Sequence, residues 1–485
     1  MENKKLSFIE KYSYGLGAIG KDMACGIIFT YCMIYFTDVL GLAASFVGTL
    51  FFFAKFWDAI NDLGMGMIVD NTRSRWGKFR PWLVIGTLLN SAVLIVMFTN
   101  WGLSGTPLYI FASVMYVLWG MTYTIMDIPY WSMLPNLTND PVERDKIAII
   151  PRIFAAIGGS LLISGFGLQI MNFLGKGDVQ AGYTNFAWLI VIVFIVTIGI
   201  TCLNVKSADR VNETAKSEKI SFKDIWHVIR NNDQLLVAII VILTWNFAGQ
   251  CIGSVQLYYF KYVVGNEGMF SMFAMFGAFA CMGGLMLFPI ISKKLNKKQT
   301  YFVAIAIAMA GLFMLWAVGY FAPENPILTA ISGILWQLGG GIQTGIVTVV
   351  LADVVDYGEY KLGTRNESVI FSLQTLLVKF TSAIGTLFTG FALDLTGYIP
   401  NSETQADSTL LGMRILMIAL PLIIVVVSYV LYKRLYKLDR AYIQRIMNIL
   451  SLRRTGQVAS EDVIEGEEVD TLAFDEEEEY VNTIS

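Results

Sequence analysis

Residues 51–69 read FFFAKFWDAINDLGMGMIV. The run is greasy enough for a helix in lipid or in a core, yet it holds Lys55, Asp58, Asn61 and Asp62. What surrounds this stretch decides the fold. The chain has 485 residues, 55% of them hydrophobic and 15% charged, with a mean hydropathy of +0.59. A soluble chain of this length carries about 25% charged residues. Apolar runs close to the roughly 20 residues that cross a bilayer recur from end to end, among them WLVIGTLLNSAVLIVMF (82–98), FAWLIVIVFIVTIGITCL (186–203) and ILMIALPLIIVVVSYVLY (415–432). In lipid a segment must satisfy its own backbone, and these runs are too long and unbroken for barrel strands. The sequence predicts an all-α polytopic membrane protein, with 51–69 in one of its spans.

Counting apolar runs between turn and charge clusters gives about twelve spans. Alternate short loops hold NTRSRWGKFR (71–80), ERDK (143–146), SKKLNKK (292–298) and EYKLGTR (359–365), whereas GLAAS (41–45), GLSGTP (102–107) and APENP (322–326) contain no lysine or arginine. The positive-inside rule then puts the basic loops and both termini in the cytoplasm of a multi-pass protein of the cell membrane. The N-terminus MENKKLSFIEKYSYG lacks a small-residue cleavage site, so no secretory signal is expected.

The polar segment 205–232 divides two hydrophobic stretches of similar length. The expected organisation is a six-helix half over 1–204, a cytoplasmic loop over 205–232, a second half over 233–435 and a cytoplasmic tail over 436–485. The tail's last part, SEDVIEGEEVDTLAFDEEEEYVNTIS (460–485), is acidic and poor in apolar residues, a composition that favours disorder. It could meet a cytoplasmic regulatory partner, although a solvating role is the plainer expectation. Each half carries a helix ending in carboxylates and a basic loop, MLPNLTNDPVERDKIAIIPR (133–152) and VLADVVDYGEYKLGTRNESVI (350–370). Paired halves suit a secondary transporter that rocks about a midplane site.

Ionisable groups at membrane depth cost about 2.5–3.5 kcal/mol each and persist where they face a cavity or pair. This chain places Lys21 and Asp22 in the first span, Lys55, Asp58 and Asp62 in the second, Asp127 in the fourth, Arg152 in the fifth and Lys379 in the eleventh. Asp58 and Asp62 are one helical turn apart on one face, with Asn61 beside them. Two carboxylates in such a slot must share protons, pair with lysine or hold a cation. Hard cations take oxygen ligands; Thr124 and Thr375 offer hydroxyls, and Lys379 offers a counter-charge. A purely structural ion pair is the alternative. In the fourth span Tyr123, Asp127 and Trp131 recur every four residues, a carboxylate between two aromatics, which suits a sugar ring with its hydroxyls. Helix packing explains either aromatic alone. Arg152 can pair with Asp127 or donate to ring hydroxyls.

No phosphate loop is present, so no ATP-driven engine is visible, and no nucleophile–base or metal-ligand constellation argues for an enzyme. Nothing points to nucleic acid. The five cysteines, Cys25, Cys32, Cys202, Cys251 and Cys281, show no pairing pattern, and the single His227 gives no histidine proton relay. A channel predicts rings of like charge. An uncoupled facilitator is distinguished by whether a sodium gradient drives accumulation above the external level, and a membrane receptor or scaffold would not need carboxylates in the spans.

The motifs GKDMACG (20–26), WDAINDLGMG (57–66), TRSRWGKFRPW (72–82), GMTYTIMDIPYWS (120–132) and ADVVDYGEYKL (352–362) closely resemble the melibiose permease group of the glycoside–pentoside–hexuronide cation symporters. The likeness runs from about residue 7 to 450. It implies the major facilitator fold, twelve helices in two pseudo-symmetric halves, and uptake of a sugar together with Na⁺, Li⁺ or H⁺ and no other cofactor. By matching position it implies a cation site at Asp58, Asn61, Asp62 and Thr124. It implies a sugar site at Lys21, Asp22, Tyr123, Asp127, Trp131, Arg152, Thr375 and Val378, with Lys379 coupling the two. Phe29 stands where carriers of melibiose have tyrosine, and Thr344 where they have tryptophan. Melibiose or another α-galactoside is the first expectation; a β-galactoside, xyloside or glucuronide stays open. Asp70, Arg73 and Arg75 in one half, and Asp353, Asp356, Glu359 and Arg365 in the other, are expected to form a cytoplasmic gate.

Overall fold

The computed structural model describes residues 6–137, 141–205, 230–363, 367–400, 402 and 404–454. The first six long helices are α1 (Phe8–Val39), α2 (Ala44–Asn71), α3 (Arg80–Met97), α4 (Thr106–Leu137), α5 (Pro141–Ala155, continued by 156–165 and Gly167–Gly175) and α6 (Val179–Asn204). After the middle segment follow α7 (Asp233–Val263), α8 (Gly268–Lys294), α9 (Lys297–Phe321), α10 (Pro326–Leu362), α11 (Glu367–Leu395) and α12 (Asp407–Leu435). A shorter α13 spans Arg440–Arg454. No strand occurs among the described residues.

Ten of these helices are long and apolar enough to cross a membrane, and α5 makes an eleventh if its two arms, bent by 55°, form one span. The helix α2 has the length, 28 residues, but its charged and amide side chains lower its hydropathy. With α2 the count reaches the expected twelve. Large apolar side chains face outward, Leu395 at 87% and Phe321 at 85% exposure, which fits a surface solvated by acyl chains.

The sequence sets the helix ends. Ser7 and Glu10 form a capping box at α1, Asn232 caps α7, and Asn325 precedes Pro326 at the start of α10. Each uses a side-chain oxygen to satisfy an N–H that the helix cannot. Polar pins then hold α4, on which the site depends. Asn90 of α3 donates to the Trp119 carbonyl and to Thr122 Oγ1, both at 3.0 Å. Tyr14 and Tyr130 donate reciprocally to each other's carbonyls, at 3.1 and 2.5 Å. In an apolar medium such bonds have no water to compete with.

The basic loops lie at one end of the bundle, here the basic end. At that end α13 packs on α10, with Ile446 and Leu450 buried and Arg453 donating to the Tyr360 carbonyl at 3.0 Å. The tail thus begins with an ordered, docked helix. The middle loop over 206–229, with His227, and the acidic stretch over 455–485 lie outside the described residues.

Candidate functional site

Lys21 is the centre of the first cluster. Its side chain is buried at 3% exposure on α1, with Nζ 3.2 Å from Asp22 and 2.7 Å from Asp127 of α4. It also donates to Tyr123 Oη at 3.3 Å. The rings of Tyr123, Tyr130 and Trp131 lie 5.1–5.7 Å from the ammonium, close enough for cation–π attraction. Trp119 stacks on Tyr123 with centroids 5.3 Å apart. One ammonium therefore serves two carboxylates, which keep lone pairs for further donors. A surface of aromatic rings beside hydroxyl-accepting carboxylates can hold a polyhydroxylated ring. Arg152 is exposed on α5, and it is Lys21, rather than Arg152, that neutralises Asp127 here.

The second cluster lies along the seam of α2 and α4. Thr124 donates to Asp62 Oδ1 at 3.0 Å, and Lys379 of α11 pairs with the other oxygen of Asp62. Lys55 reaches Asp58 at 4.0 Å and lies over the Phe29 ring at 4.4 Å. Asn61 donates to the Met121 carbonyl at 3.4 Å, which leaves its own carbonyl oxygen available. Asp58 sits so close to Gly120 that a side chain there would overlap its carboxylate. The set Asp58, Asn61, Asp62 and Thr124 offers only oxygen ligands, the chemistry that hard monovalent and divalent cations accept. Two lysines and two aspartates leave it neutral.

Helix α4 links the clusters. Thr124 faces Asp62 and Asp127 faces Lys21, and three residues separate them, about 4.5 Å along the axis. Thr375 and Val378 are exposed on α11 within a turn of Lys379. Tyr130, Trp119 and Gly120 belong to the site and were not singled out from sequence. Tyr130 had a signal, since it lies three residues after Asp127 on the same face. Gly120, four before Thr124, shares that residue's face but has no functional group to advertise it.

At the basic end Asp353 is buried and pairs with Lys297 at 2.5 Å, and it accepts from Tyr436 at 2.6 Å. Asp233 binds Lys361 at 3.0 Å and Lys437 at 3.6 Å. These pairs stay within the second set of helices and do not reach Arg73 or Arg75, which are exposed in the turn after α2. Asp356 and Glu359 are half-buried on α10. The Asp70 side chain and Arg365 lie outside the described residues.

A bundle of spans with paired charges at its centre defines a polytopic membrane transporter. The family described as MFS/sugar transport protein matches residues 13–440. The chain belongs to that family, which bears out the resemblance read from its motifs. It is 28% identical to the isoprimeverose transporter of Lactiplantibacillus pentosus over 82% of each chain. It is 28% identical to the inner membrane symporter YicJ of Escherichia coli over 93% of this chain and 96% of that one. The raffinose carrier protein of Pediococcus pentosaceus is 27% identical over 87% of this chain and 68% of its own. Among solved structures, a bacterial homologue of the lysosomal transporter Spinster superposes with a TM-score of 0.63 at 14% identity, covering 87% and 95% of the two chains. The nucleoside transporter NupG superposes at 0.62 and 12%, covering 88% and 100%. These two likenesses establish the major facilitator fold.

Proposed function

We propose that this transporter imports a sugar or glycoside together with a monovalent cation, by alternating access across the cell membrane. The observation that carries the proposal is the Thr124–Asp62 hydrogen bond one turn from the Asp127–Lys21 pair. A cation taken by Asp58, Asn61, Asp62 and Thr124 would displace Lys379 from Asp62 and fix α4 against α2. The same movement sets Tyr123, Asp127 and Trp131 against Lys21 and Asp22, where the sugar binds. Arg152, Thr375 and Val378 line the approach to it. Sugars named for two relatives, isoprimeverose and raffinose, support a glycoside as cargo; an α-galactoside such as melibiose is the first candidate, with Na⁺ as first cation and Li⁺ or H⁺ next. The two halves are 1–204 and 233–435, and the basic end faces the cytoplasm.

The test is uptake of radiolabelled glycosides by membrane vesicles under Na⁺, Li⁺ and proton gradients. One sugar should accumulate above its external level under one of these gradients. Equal uptake with and without every gradient would make the protein an uncoupled facilitator. In a sugar that is carried, Asp58→Cys or Asp62→Cys should abolish cation stimulation while the protein still inserts.

A further inference from the structure

A buried polar link between the two sets of helices lies away from both clusters, at the end opposite the basic loops. Its centre is Asp38, in the last turn of α1 and only 4% exposed. A carboxylate there meets the negative end of the helix dipole, so its burial needs donors from elsewhere. All those observed from outside α1 come from the second set of helices. Lys261 of α7 pairs with Asp38, Tyr262 donates to it at 2.5 Å, and Tyr398, just after α11, donates to its other oxygen. Beside it Thr37 Oγ1 and Tyr258 Oη are 2.7 Å apart.

The backbone is shaped for this meeting. The last turn of α1, Tyr35–Val39, is wound as a π-helix, and so is the last turn of α7, Tyr259–Val263. The helices α1 and α7 are the first of their respective halves, so the two π-turns occupy equivalent places. Such turns are rare and concentrate at functional positions. Here one presents Asp38 and the other Lys261 and Tyr262. Nearby, Ser45 N–H at the start of α2 donates to Asp394 of α11 at 3.0 Å. The backbones of these helices almost touch: a Cβ on Gly48 would lie 3.1 Å from the Gly390 Cα.

We infer that Asp38, gripped by Lys261, Tyr262 and Tyr398, is the gate residue that holds the outer end of the transport path shut. This gate rests on the alternating-access reading above. A path open to the outside requires the ends of α1 and α7 to part, which strips the Asp38 carboxylate of three donors and leaves the Lys261 ammonium with only the more distant Glu267, at 3.9 Å. Below the seal a small cavity between the halves is lined by Phe29, Lys55, Gln250, Ser254, Ser382 and Thr386, and it becomes reachable from outside only when the grip is released. Asp38 is thus a positioning residue for transport: it touches neither cargo and sets how often the outer side opens.

A cysteine at Ser382 reports the opening. Right-side-out and inverted vesicles carrying Ser382→Cys are treated with a membrane-impermeant maleimide, with the unsubstituted chain as the background for its native cysteines. Adding Asp38→Asn should raise the labelling rate at least fivefold from the face that carries loop 98–105. The exchange Asp38→Lys with Lys261→Asp should bring the rate back towards that of Ser382→Cys alone, which a loss of packing would not do. If Asp38→Asn fails to insert, Tyr398→Phe, which removes one donor, should give a smaller gain from the same face. An unchanged rate, or an equal gain from both faces, overturns the gate. Labelling needs no sugar, so a faster rate without any sugar uptake would refute the transport reading and leave the gate standing.

Discussion

A single hydrogen atom at residue 120 decides how near Asp58 can come to α4. Replacing it by a methyl group would push the Asp58 carboxylate, the movable end of its side chain, aside, and forcing it back against the methyl to hold a cation would cost about 1–3 kcal/mol. Gly120→Ala should therefore weaken cation binding about 5- to 150-fold, read as a shift in the Na⁺ concentration that half-stimulates sugar binding. An unshifted midpoint would place the cation elsewhere. Two turns further along α4, Asp127→Ala leaves Lys21 buried with one carboxylate in place of two. Sugar affinity should disappear while Na⁺ binding, followed calorimetrically, persists; sugar bound at its former affinity would remove Asp127 from the site. The ionisable residues of both clusters were legible from sequence because a charge in an apolar run is conspicuous and costly. Their pairing was not. The sequence offered Arg152 as a partner for Asp127, and only the approach of α1 to α4 brings Lys21 there instead. Gly120 and the Asp38 grip left weaker marks, since a glycine in a membrane helix is common and a charge at a span's end resembles a loop residue.

At the level of elements, α4 acts as a shared wall. Thr124 and Asp127 project from the same helix toward different clusters, and Asn90 pins that helix from behind. Thr124→Val keeps the shape and removes the hydroxyl. The loss of one hydrogen bond to a charged group, about 1.5–3 kcal/mol, should lower cation affinity by roughly 10- to 150-fold. Sugar affinity measured without cation should stay within about twofold, and a large fall there would mean that the two clusters are one. The helices themselves were readable from length and hydropathy, down to the basic and neutral loops that alternate between them. The polar content of α2 lowers its own signal, yet the same residues made it the most informative stretch. The π-turns ending α1 and α7 were not readable, because an i→i+5 turn has no residue pattern of its own and arises where tertiary partners pull on the backbone. The docked helix α13 was hidden inside what composition marks as a tail.

For the whole molecule, coupling through one helix has to work in both directions. If a saturating cation tightens the sugar by some factor, a saturating sugar tightens the cation by the same factor. The expected coupling is about 1–3 kcal/mol, or 5- to 150-fold. Titrating each ligand with and without the other should give two equal ratios well above one; ratios of one would show that the two clusters are not coupled. The two ends of the bundle differ in kind. The end opposite the basic loops joins the first set of helices to the second through a buried carboxylate and its three donors, and the pairs observed for Asp353 and Asp233 at the basic end lie within the second set.

The neutrality of the α2–α4–α11 pocket has an electrical consequence. Lys55 and Lys379 already balance Asp58 and Asp62, so a metal cation that enters without expelling a proton makes the loaded protein one charge more positive than the returning one. Each inward cycle then carries net current, and a membrane voltage does work on it of about 2.3 kcal/mol per 100 mV. An uncharged sugar added to a supported membrane holding the protein should produce a transient whose sign follows the direction of entry.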